Sequence, residues 1–201
     1  MSDDEGGGAP ARRRGRPVSL ASRAAVVAAA TALLQERGYA GFTVDEVARR
    51  CGVSKATIYR HWANGFELAA EAWGEQATDA VPVRATGDAL ADLGDQLVRL
   101  ARFYASERGR VVAQLLAAGT VHPGGAALLR ERFFAPRRRA TLALIARGVA
   151  DGQLRGDVDP ELVVDMVFAP VVVRLFNGLA PIDDAGAAEL TRLAAAALGR
   201  A

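Results

Sequence analysis

The chain has one cysteine, one lysine and two histidines in 201 residues, and each shortage removes a class of chemistry. A lone Cys51 excludes an internal disulfide and a thiolate-rich metal site. His61 and His122 are far apart in sequence, so they do not form a metal-binding pair. There is no glycine-rich phosphate loop, and no Ser or Cys sits in a local nucleophile motif. No catalytic residue, metal or cofactor is therefore expected. No stretch approaches about 18 uninterrupted apolar residues, and the acidic start lacks an apolar run followed by a cleavage site, so a cytoplasmic protein without a membrane partner is expected. Sustained period-two alternation is also missing. Prolines are few, eight in all, and cluster at expected element boundaries, which leaves a helical reading throughout.

What is present is alanine, arginine and half a chain of hydrophobic residues, enough for one good core or a small domain joined to a larger one. Net charge is only +2, but residues 11 to 62 hold nine Arg and one Lys against three acids, a local +7. The first ten residues sum to −3. A basic N-terminal quarter on a nearly neutral body is the footprint of a modular DNA binder, whose affinity comes largely from phosphate contacts.

Within that quarter, residues 43 to 62 read as helix, glycine turn and second helix. Thr43 caps the first helix, with Glu46 completing a capping box, and Ser54 caps the second. Ala48 is small enough for a close crossing, Gly52 supplies the φ > 0 of the turn, and Ile58 pins the second helix to the first with Val44, Val47 and Val53. With Ile58 inward, Lys55, Ala56, Tyr59 and Arg60 face outward and Thr57 lies at the edge. An αα-hairpin with an ordinary solvated face shares this outline; the basic, aromatic character of the second helix favours a groove reader.

Phe42 to Trp62, above all Val53-Ser-Lys-Ala-Thr-Ile-Tyr-Arg-His-Trp62, resembles the helix-turn-helix signature of TetR-family bacterial transcriptional regulators. The upstream helix and the Gly38-Tyr39 corner match too, so the resemblance covers roughly residues 20 to 75. It implies an all-α fold of about nine helices: an N-terminal three-helix DNA-binding domain, and a larger helical domain for ligand binding and dimerisation. The expected boundaries are a disordered basic arm over 1–17, the helix-turn-helix domain over 18–64 and the larger domain over 65–201. The resemblance also implies phosphate or base contacts at Thr43, Lys55, Thr57, Tyr59 and His61. Arg60 is the better candidate for guanine because its fork can engage O6 and N7 together. Ser54 and Ala56 complete the expected DNA-contacting set, with Arg12, Arg13, Arg14 and Arg16 as an arm along the backbone or minor groove. One departure is Gly65, where many relatives carry a lysine that meets a phosphate; weaker or more salt-sensitive positioning is expected.

Further along, a first helix over Leu20 to Arg37 buries Val26, Ala30, Leu33 and Leu34, and a fourth starts near Phe66. Helices are expected over Asp88 to about Arg108, then through Val111 to Gly119. Another spans Ala126 to Ala150, with Pro136 starting, kinking or dividing it. Leu162 to about Leu179 is apolar nearly all round, which requires cover on both sides. Covering the second side with a partner subunit gives a two-fold homodimer through a four-helix bundle built with the last helix, the alternative being that both helices bury against their own domain; the expected interface is Val167, Val171, Arg174, Leu175, Leu190, Leu193, Ala194 and Ala197.

The resemblance further implies a small-molecule effector. Trp73, Phe103, Leu115, His122, Phe133, Phe134, Met166 and Phe168 are its candidate pocket, with Gln96, Arg99 or Arg174 as polar anchors; each also has a plain reading as core or surface. The expected function is a repressor that binds an inverted-repeat operator on double-stranded DNA and is released by that molecule. The alternative is a DNA-binding regulator or architectural protein that senses no ligand.

Overall fold

The computed structural model describes residues 20–199, and among them the regular secondary structure is all helical, save an isolated bridge between Leu154 and Gly199. The elements are α1 (Leu20–Arg37), α2 (Val44–Cys51), α3 (Lys55–Tyr59), α4 (Gly65–Ala80), α5 (Ala89–Ala105), α6 (Glu107–Gly119), α7 (Gly125–Leu129), a π-helical turn (Arg130–Phe134), α8 (Ala135–Ala150), α9 (Pro160–Phe176) and α10 (Asp184–Leu198). The expected basic arm, Arg12, Arg13, Arg14 and Arg16, lies outside the described residues.

Short polar residues set most of these boundaries. Asn64, Asp88, Ser106, Asp159 and Asp183 each accept a backbone N–H of the first turn that follows them. Ser106 also stops α5 three residues before the expected end: its hydroxyl donates to Phe103 O at 2.6 Å while its oxygen caps α6.

The expected helix over 126–150 is divided. Pro136 has no N–H to continue a ladder and sits in the first turn of α8, and the π-helical turn before it absorbs the changed register. This division takes the count among the described residues to ten α-helices and one π turn, against about nine expected. α9 ends at Phe176, three residues early, as Gly178 turns the chain at φ 62°. It carries Pro170 in its interior.

One continuous core runs from Val26 in α1 to Leu198 in α10. α4 is buried for most of its length, with Leu68, Ala69, Ala70, Ala72 and Trp73 inside. It packs on α1 on one side and on α6 and the π turn on another. Among the described residues, no helix is long and apolar enough to cross a membrane.

Candidate nucleic-acid interface and a cavity behind it

The helix-turn-helix is held by the interactions its sequence implies. Thr43 Oγ1 accepts the Glu46 N–H at 3.3 Å, Gly52 closes α2 at φ 67°, and Ser54 Oγ accepts the Thr57 N–H at 3.2 Å. Ile58, Val44 and Val47 are buried against α1, and Ala48, Cys51 and Val53 pack partly buried beside them. Fixing Ile58 inward leaves Lys55, Ala56, Tyr59, Arg60 and His61 in solvent, with Tyr59 half exposed at 50%. Thr57 lies at the edge, its hydroxyl accepting from Ser54 at 3.0 Å.

The capping box is only half made. Glu46 turns away from Thr43 and takes Arg49 Nε at 2.9 Å and Arg50 Nε at 3.0 Å, and these hydrogen bonds hold its carboxyl down to about 2. Arg50 reaches on to Glu36 at 2.7 Å, tying α2 to α1. Lys55, at the tip of α3, pairs with Asp45 of α2 at 3.1 Å, both side chains being largely exposed. Much of the local positive charge is thus internally paired. Arg60 has no ion-pair partner among the described residues, which leaves its whole fork available.

At the entry to α4, Asn64 Oδ1 accepts the Glu67 N–H and Glu67 accepts the Ala63 N–H, both at 2.9 Å, so Glu67 helps to secure the helix start. A Cβ at Gly65 would come within 3.1 Å of a Val44 methyl. A larger residue in this place must push on the α2 core.

The reading head is tied to the body at three points. The Tyr39 N–H donates to Gln114 Oε1 of α6 at 2.7 Å, and the Thr31 hydroxyl donates to Ala72 O of α4 at 3.2 Å. The third is Glu71 of α4, a buried carboxylate that takes Arg23 of α1 on one oxygen and Arg132 of the π turn on the other, the latter at 3.3 Å. No sequence pattern marked Glu71, because the three residues are 48 and 61 positions apart.

A cavity of about 270 Å³ lies between α5, the π turn, α8 and α9. Its walls are mostly apolar: Leu100, Phe134, Val164, Phe168, Val172 and Val173, with Tyr104, Arg137 and Thr141 at polar positions and an Arg138–Asp165 pair at 2.6 Å. Of the expected pocket residues only Phe134 and Phe168 line it. Leu115, Phe133 and Gln96 are sealed in the core, and Phe103 is buried there too, outside the cavity wall. Trp73 is pinned by its indole N–H to Arg108 O at 3.2 Å and borders a different, polar cleft between α1 and α6. Arg99, half-buried, is held by Asp95 at 2.9 Å and by Pro82 O, outside the cavity wall. His122 stacks on Phe66 at 4.5 Å, and Met166 points to solvent.

The expected dimer face needs a similar rotation. Val167 and Val171, only 3% and 4% exposed, are inside this chain's own core, and Ala194 is buried as well, so they offer almost no surface to a second copy. Arg174, bonded to Ala180 O at 2.8 Å, and Ala197 are exposed, and Leu175 and Leu190 are half-buried. The free apolar stripe of α9 is instead Leu162, Met166, Val173 and Phe176, with Leu193 exposed on α10.

Comparison with known proteins agrees with this architecture. Residues 26–72 match the family model described as bacterial regulatory proteins of the tetR family. Residues 83–194 match that of the tetracyclin repressor-like C-terminal domain. The uncharacterized HTH-type transcriptional regulator YdeS of Bacillus subtilis is 38% identical over 163 residues, 81% of this chain and 82% of that protein. The DNA-binding transcriptional repressor TetR of Mycobacteroides abscessus is 31% identical over 163 residues, 81% of this chain and 85% of its own. The crystal structure of the TetR family transcription regulator SCO0332 superposes with a TM-score of 0.77 at 32% identity, covering 86% of this chain and 96% of that one.

Proposed function

This chain belongs to the TetR family of bacterial transcriptional regulators, and from that membership we propose that it is a repressor that holds an inverted-repeat operator as a homodimer and leaves it when a small molecule enters the α5–α8–α9 cavity. The observation that carries the DNA-binding part is the outward face of α3, where Ile58 and the Ser54 cap fix Lys55, Tyr59, Arg60 and His61 in solvent on a short basic helix. In this reading Arg60 takes a guanine edge, where a bidentate contact discriminates best. Lys55 exchanges Asp45 for a phosphate, Thr43, Ser54 and Thr57 meet the backbone, and Ala56 and Tyr59 pack on the groove. The arm from Arg12 to Arg16 adds phosphate or minor-groove contacts.

Two heads on one duplex require a dimer, and the exposed stripe of Leu162, Met166, Val173 and Phe176 with Leu193 supports one. A two-fold interface pairs the same patch from each subunit, and the two copies of α9 and α10 make a four-helix bundle. Such a dimer presents its recognition helices about 34–36 Å apart or a multiple of that.

Release follows from any ligand that favours a different angle of α4, since a ligand shifts the equilibrium by its differential affinity for the two arrangements. Phe134 of the cavity wall and Arg132 share the π turn, and Arg132 meets Glu71, which also holds Arg23 of the head. The division we adopt places the head at 18–64 and the sensing and dimerising body at 65–201.

A mobility-shift assay on the promoter upstream of its own gene, with and without candidate metabolites, tests the proposal. A shift that a metabolite reverses supports it. A stable shift that no metabolite reverses favours a regulator without a ligand, and the absence of any shift by a soluble dimer contradicts autoregulation.

A further inference from the structure

The cavity between α5, α8 and α9 is apolar along most of its wall and electropositive at one end. Asp165, the one acid in its lining, is already neutralised by Arg138. Arg137 is different. It donates to the main-chain Ala77 O at 3.0 Å, its Nε–H is buried without a partner, and no carboxylate among the described side chains pairs with it. The residue as a whole is half-buried, but a buried donor left unmade costs more than a made one returns. The hydroxyl of Tyr104 lies against the same guanidinium, and burial pushes it up, so it stays protonated and able to donate. Thr141 offers no spare donor, because its hydroxyl is spent on Arg137 O at 3.0 Å. This end of the cavity therefore has donors and positive charge to satisfy, and its only acceptors near Arg137 in the lining are the Tyr104 and Thr141 hydroxyl oxygens.

Resting on the effector reading given above, we propose that this cavity takes a small amphipathic monocarboxylate, its apolar chain along Phe134, Val164, Phe168 and Val172 and its carboxylate against Arg137 and Tyr104. A carboxylate supplies what the site lacks: a negative charge and two acceptor oxygens for a guanidinium N–H and a phenol O–H. An ammonium at the same place meets the like charge of Arg137, with only hydroxyl oxygens to accept from it. At about 270 Å³ the space lies near the low end of small-molecule sites, roughly 300–1,000 Å³, which selects a short chain or single ring over a large polycyclic ligand. Asp165 lines the cavity, is exposed and lies off the Leu162–Met166–Val173–Phe176 stripe, so it marks the side from which the ligand enters.

Calorimetric titration of the full chain with octanoate, octan-1-ol and octylammonium tests the assignment at constant chain length. Octanoate is expected to bind about ten-fold or more tighter than octan-1-ol, with octylammonium weakest. In Arg137→Met the preference for octanoate over the alcohol disappears while octan-1-ol binding persists, showing that the cavity is intact. Tyr104→Phe, which keeps the ring, weakens octanoate several-fold and serves if the arginine variant misfolds. Equal affinity for the acid and the alcohol, tighter binding of the amine, no binding of any probe, or a preference that survives Arg137→Met each overturns the proposal. Octanoate that binds with this pattern but leaves operator affinity unchanged upholds the ligand class and refutes the effector role of the cavity; a metabolite that releases DNA from a protein deaf to all three probes does the reverse.

Discussion

The reading head and the helical body use arginine in opposite ways. In the head, exposed Arg49 and half-buried Arg50 pair at the surface with Glu46 and Glu36, while Arg60 is left unpaired on the outer face of α3. Surface pairs are worth little to stability, about 0–1 kcal/mol each, and are easily exchanged for phosphate. In the body, Arg137 sits at a cavity wall with a buried, unsatisfied Nε, where the surrounding medium makes each missing partner count. Charge at the water-facing end provides salt-sensitive attraction; charge at the buried end provides selectivity. Glu71 belongs to both regimes, a buried carboxylate shared by an arginine from each side.

The largest effect should come from the packing that aims the head. Ile58 is 1% exposed, and Ile58→Ala is expected to destabilise by about 2–5 kcal/mol and to abolish operator binding with it, as urea denaturation followed by circular dichroism will show. A loss of DNA binding with unchanged stability would mean that Ile58 faces the groove and that the face assignment is inverted. Arg60→Ala removes only the unpaired fork. It should weaken operator binding by about 1–3 kcal/mol in fluorescence anisotropy and leave the melting temperature within a degree or two of wild type.

Glu71→Gln tests the joint between the two regions. Because Arg23 and Arg132 are each partly exposed, they can turn to water, so the stability cost is expected near 1 kcal/mol while the effector's ability to release DNA falls more than either binding event alone. Undiminished release would show that coupling runs through other contacts. The smallest effect belongs to Asp45→Asn, which frees Lys55. Operator affinity should rise by about 0.2–1 kcal/mol at low salt, and the gain should shrink as added salt screens both forms. Unchanged affinity at low salt would mean that Lys55 does not reach the DNA.

Caps, turns and the inward Ile58 were legible in the sequence because each acts over four residues or fewer: Thr43 on Glu46, Ser54 on Thr57, Gly52 on its own φ. The sidedness of α9 was not. Its eleven large apolar residues from Leu162 to Phe176 surround the helix, so only packing against α5 and α8 decides that Val167 and Val171 turn inward and Met166 outward. The cavity was missed for a related reason. Arg137 stands in an Arg137-Arg138-Arg139 run that reads as a solvated face, although its position four residues before buried Thr141 and eight before buried Ile145 places it on the inner side of α8. Glu71 gave no local sign at all. Its partners are brought to it by the tertiary fold alone.

The central claim is that two copies of the α3 face read one duplex. Selection of bound sequences from a random pool of duplex DNA by the full-length protein at physiological salt tests it most directly. The account predicts an enriched inverted repeat whose half-site centres lie about one helical turn, 10–10.5 base pairs, or a multiple of it apart. Recovery of unenriched sequence, or of a single half-site without a symmetric mate, would contradict it.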